Sequence, residues 1–149
     1  MPKSAQPPDP CALLSAADVS AALGVSLVPA GPKPQSDLAT ADDPQRVCFW
    51  SSQSGMFSLI IHTQPAEDVR ASTQHQATIT MRELFDDSRG VPVRGIGDDA
   101  KLFHAPYGTI LDVVSGARLL SFSTTDFPTA VADPAVERLA GLVVGRLPQ

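Results

Sequence analysis

Between Arg46 and Thr63 the chain reads RVCFWSSQSGMFSLIIHT, and its apolar positions recur every second residue. Phe57, Leu59 and Ile61 fall on one side of an extended backbone and Ser58, Ile60 and His62 on the other, the period of a strand with one face more apolar. In the arm before it Cys48 and Trp50 share a face, with Val47 and Phe49 opposite, and the polar run Ser51 to Gly55 supplies a turn. The pattern predicts a β-hairpin whose apolar side chains need a cover. The flanking segments read as that cover.

Upstream, Leu13-Leu14-Ser15-Ala16-Ala17-Asp18-Val19 is a helix start. Ser15 is the N-cap, Asp18 completes a capping box three residues on, and Leu14 can staple to Val19. Gly24 ends that helix in the left-handed conformation. Val25 to Val28 is a short strand candidate, and Pro29 to Gln45, with Gly31, Pro32, Pro34 and Asp42-Asp43-Pro44, predicts an irregular loop of unusual length. After the hairpin, Thr63 to Asp87 predicts the longest helix. Thr63 or Gln64 would cap it, Pro65 would lie near its first turn, Glu67 and Asp68 would oppose its dipole, and a break is expected near Thr78-Ile79-Thr80. Gly90 and Pro92 would end it.

The second half repeats the first in outline. Val93 to Ala100 is a glycine-rich lead-in to a strand, Lys101 to His104, turned by Ala105 to Gly108. A strand Thr109 to Val114, a tight turn at Ser115-Gly116 and a strand Ala117 to Thr125 complete a three-stranded meander. Asp133-Pro134 would start the last helix with Pro134 at its first position, and Val136, Leu139, Ala140, Val143, Val144 and Leu147 form its apolar stripe. The sum is an α+β fold: residues 1–10 a Pro-rich linker, then one domain over 11–149. In it an antiparallel sheet, hairpin plus meander, is covered on one face by two to three helices.

Composition narrows the classes. The 149 residues suit one core, and no run approaches the roughly 20 apolar residues that span a bilayer. A net charge of −5, with eleven Lys and Arg scattered along the chain, argues against nucleic acid as a partner. The opening MPKSAQPPDP has no apolar core, so it reads as a spacer behind an added start Met rather than a signal peptide. Cys11 and Cys48 have neither redox nor zinc spacing. A structural disulfide is the leading reading, and it would stabilise the fold by roughly 4 kcal/mol on the chain-entropy model. The alternative is two reduced, buried thiols in a cytosolic protein. A bridge would place the protein in an oxidising compartment.

Three stretches together resemble a group of bacterial, chiefly actinobacterial, cell-envelope proteins of uncharacterised function, often secreted or lipid-anchored. They are Asp9-Pro10-Cys11-Ala12-Leu13-Leu14-Ser15 with Ala17-Asp18-Val19 and Ala21-Ala22-Leu23-Gly24, then Cys48-Phe49-Trp50, then Val93 to Ala100 with its Gly95-Ile96-Gly97-Asp98 turn. The resemblance implies a mature domain that follows an export signal or lipid anchor through a spacer. It implies no catalytic residues.

Chemistry is sparse in the sequence. Gly95-Ile96-Gly97-Asp98 lacks the third Gly and the Lys of phosphate-cradling loops and precedes a strand, so a tight turn with Asp98 bonding backbone amides is expected. His62, His75 and His104 lie in separate elements without metal-pair spacing, and zinc would need three or four converging ligands. No Gly-x-Ser-x-Gly elbow is present, and Asp86-Asp87 and Asp98-Asp99 are sequence neighbours whose side chains diverge. No cofactor and no metal are expected. Trp50 is expected in the core and is otherwise a contact residue, and Tyr107, in a Pro-Tyr-Gly turn, is the first choice for contact. The reading is a non-catalytic extracytoplasmic module that binds a protein, a peptide or a small apolar ligand. The alternative is an enzyme whose site converges from His62, His75 and Asp98.

Overall fold

A computed structural model describes residues 10–33, 45–65, 91–105, 108–116 and 118–147. Helices α1 (Pro10–Leu13) and α2 (Ala16–Leu23) lead into strands β1 (Val28–Lys33), β2 (Gln45–Ser51), β3 (Met56–Pro65), β4 (Val91–Pro92), β5 (Asp99–Ala105), β6 (Gly108–Ser115) and β7 (Arg118–Thr125). Helix α3 (Thr129–Arg146) closes the chain. The seven strands form one antiparallel sheet in the order β1-β2-β3-β7-β6-β5-β4. It consists of two meanders, β1 to β3 and β4 to β7, that meet along their last strands.

The hairpin forms as its alternation dictates: Cys48 pairs with Leu59 and Trp50 with Phe57. Their side chains join Ile61, Leu111, Val113, Leu120 and Phe122 on one face of the sheet, under Val19 and Leu23 of α2 and Val136, Leu139 and Val143 of α3. Helix α3 lies along β6 and β7 and against α2, while α1 rests on β2 and β3. Its buried stripe follows the 3.6-residue period. The α+β class and the helical cover are thus those that the hydrophobic pattern predicts.

Several details differ. The second face of the sheet is buried in part, at Val47, Ser58, Phe103, Ile110, Leu119 and Ser121, while Asp99 and Lys101 on the same side are exposed. The strands carry apolar residues at both parities, and on this side Phe49, Ile60 and Val114 are half-buried. Strand β1 begins at Val28, where the expected strand ended, and runs through Pro29 and Pro32 to Lys33; Gln45 begins β2, so both ends of the expected loop are strand, and residues 34–44 lie outside the described residues. Two prolines are tolerated because β1 is an edge strand with an irregular register between them. Val25 and Leu27 pack inward instead, and Leu27 is held by the Ser20 hydroxyl, which accepts from the Leu27 amide at 2.9 Å.

The expected central helix does not begin at Thr63. Thr63, Gln64 and Pro65 continue β3, with Pro65 opposite Arg118 across an irregularity in the ladder. Sheet pairing there outweighs the local capping signal, and the rest of that prediction lies outside the described residues. Pro92, expected as a helix stop, sits in the short edge strand β4. The linker also lies outside the described residues except for Pro10, which is buried as the first residue of α1. The β6–β7 turn closes on the Ser115–Arg118 pair, one residue later than expected, with Gly116 at φ 62°.

Helix α3 starts at Thr129, not at Asp133. Pro128 precedes it, and its carbonyl accepts from the amides of both Val131 and Ala132. Pro134 therefore stands inside the helix, and Asp133 is free of capping duty. That difference creates the only constellation of interacting acid, imidazole and hydroxyl side chains among the described residues.

Candidate functional site

Two polar constructions hold α3 in place, one toward each end: the first ties it to α1 and α2, the second to the sheet. At its C-terminal end, Arg146 Nη1 donates to the Leu13 carbonyl at 2.8 Å and to Asp18 Oδ2 at 2.7 Å. Asp18 is at the same time the third helical residue of α2. Its amide donates to Ser15 Oγ, and its carboxylate accepts from the Ser15 amide, both at 3.1 Å. This is the capping box expected from the sequence, and Gly24 at φ 76° closes the other end. The hydrogen bond from Arg146, followed by that from the Ser15 amide, holds the Asp18 carboxyl below its ordinary 3.8, at about 2.

Next to this corner the Cys11–Cys48 disulfide joins α1 to β2, with the Cα atoms 5.4 Å apart. That separation is normal for a bridge, and Cys48 is fully buried at the centre of the core face. Both cysteines are thereby consumed, and neither can serve as a nucleophile. Trp50 lies two residues on, only 1% exposed, with its ring centroid 5.6 Å from that of Phe57. It belongs to the core, so its alternative role as a contact residue is corrected: the ring is not available to a partner.

At the other end of α3, Asp133 meets the β5–β6 hairpin. Its carboxylate accepts from His104 Nε2, at 2.9 and 3.0 Å to its two oxygens, and from the Thr109 hydroxyl at 2.9 Å. Thr109 and Thr124 are both fully buried. The Thr124 hydroxyl donates to the Thr109 carbonyl at 3.3 Å and accepts from its amide at 3.1 Å. His104 and Asp133 are 38% and 29% exposed at their side chains, so the cluster opens to water at the imidazole and the carboxylate and is closed at the two threonines. Gly108 lets the strands close here, because a Cβ at that position would collide with the Thr124 carbonyl.

The order of these contacts decides what they can do. In a nucleophile–histidine–carboxylate triad the imidazole stands between hydroxyl and acid. Here the carboxylate stands between hydroxyl and imidazole, and the hydroxyl is sealed in the sheet. An ionised carboxylate only accepts, so Nε2 carries the proton and Thr109 donates. The arrangement fastens α3 to β5 and β6. It does not activate Thr109.

Of the remaining sequence candidates, Asp98 is the one whose side chain is described. Asp98 is exposed at a turn: its amide donates to the Val114 carbonyl at 2.7 Å and its carboxylate accepts from the Gly116 amide at 2.7 Å. With Gly95 at φ 86° and Gly97 at φ 59°, this is the amide-bonding turn expected for that stretch. His62 lies in β3, but its side chain, like His75 and Tyr107, lies outside the described parts of the structure. No group of three or more His, Cys, Asp or Glu among the described residues could hold a metal ion, and no described helix is long and apolar enough to cross a membrane.

Sequence reasoning missed the His104–Asp133–Thr109 cluster because it placed Asp133 at the helix start. A signal was present: Ala132, Ala135, Val136 and Leu139 share one helical spacing, and that stripe begins ahead of Pro134. Extending it backwards puts Asp133 inside the helix. Comparison with protein-family models, curated proteins and solved structures finds no match to the chain.

Proposed function

We propose that this chain is a non-catalytic binding or interaction module that works outside the cytoplasm, in the bacterial cell envelope. The observation that carries this reading is the Cys11–Cys48 bridge, whose inner sulfur is fully buried beneath the helices. Structural disulfides persist in oxidising compartments and are rare where thiols are kept reduced. The resemblance of the three sequence stretches to secreted and lipid-anchored envelope proteins points the same way. A lipid anchor on the precursor and a protein, peptide or small apolar ligand as partner belong to the same proposal.

The non-catalytic part rests on how the polar groups are used. Asp98 is occupied by the Gly116 amide, and the carboxylate of Asp133 is occupied by His104 and Thr109. The test has two arms, both in the native bacterium. Protease added to cells stripped of their outer envelope layers should degrade the protein while cytoplasmic markers survive; protection equal to those markers contradicts the location. A strain lacking the gene should recover its phenotype with variants Asp98→Asn, His62→Ala and His75→Ala. Failure of any one of them, when folded and present at wild-type level, favours the enzyme alternative.

A further inference from the structure

We draw no further inference here: the strongest candidate, the sheet face turned away from the three described helices, where Ser58 and Ser121 are buried together with Val47, Phe103 and Ile110, carries nothing because nothing in the structure shows what covers it.

Discussion

The two ends of helix α3 are fastened by different means, one to the other helices and one to the sheet. The Arg146 end joins a corner built from neighbours in sequence, where Ser15 and Asp18 form a capping box and Leu14 and Val19 are both buried. A single covalent bond adds the long-range link to β2. The Asp133 end joins β5 and β6 through side chains that lie 29 and 24 residues away in sequence, without a covalent bond. The first corner keeps its form through local geometry and a restricted unfolded chain. The second keeps it only while the sheet and the helix are both in place. A local device such as the capping box can hold by itself, whereas a network shared between distant elements depends on all of them.

Removing the covalent link should have the largest effect. Replacing Cys11 with Ser and Cys48 with Ala is expected to cost roughly 4 kcal/mol in denaturant unfolding, since the chain between them regains its freedom when unfolded. A loss below about 1 kcal/mol would mean that the first corner stands on its caps alone. At the second corner, Gly108→Ala drives a methyl group into the Thr124 carbonyl, and a loss of about 3 kcal/mol is expected, at the upper end for overpacking. A neutral result would show that the close approach of β6 to β7 is not required.

Asp133→Ala comes next. It leaves the Thr109 hydroxyl buried without its acceptor, at an expected cost of about 2 kcal/mol. In a double-mutant cycle with His104→Ala the two losses should be clearly non-additive; strict additivity would dissolve the network into independent contacts. Ser15→Ala in the first corner should cost about 1 kcal/mol by thermal unfolding, the usual value of an N-cap.

The smallest effect is expected from pH. The Asp18 carboxyl is held below its ordinary value in the folded state, so its contribution is fully present above about pH 4 and is lost as the pH falls through about 2. Because the pair is open to solvent, that contribution is modest and salt-sensitive. Arg146→Ala should flatten the slope of stability against pH in this acid window. An unchanged slope would remove the ion pair from the account.

How much of this was legible in the sequence follows the same division. The capping box at Ser15, the left-handed Gly24, the Cys48–Trp50 face of the hairpin and the glycine turn before Asp98 depend on residues a few positions apart, and each has a local signature. The pairing of Cys11 with Cys48 was accessible because there are only two cysteines. What local pattern could not supply was the order of the strands and whatever follows from it. The pairing of β3 with β7 keeps Thr63 to Pro65 extended against a helix-start signal, and an edge position lets Pro29 and Pro32 lie in a strand. The Asp133 cluster exists only once α3 is laid beside the β5–β6 hairpin. The apolar stripe could put Asp133 inside the helix, but not beside His104 and Thr109.

The most direct test of the central claim is the intact mass of the protein taken from its native compartment, after thiols are trapped with an alkylating reagent in the denatured state. Without reductant, neither Cys11 nor Cys48 should be modified, and after reduction both should be. Two modified cysteines in the unreduced sample would contradict the bridge, and with it the proposed placement of this protein outside the cytoplasm.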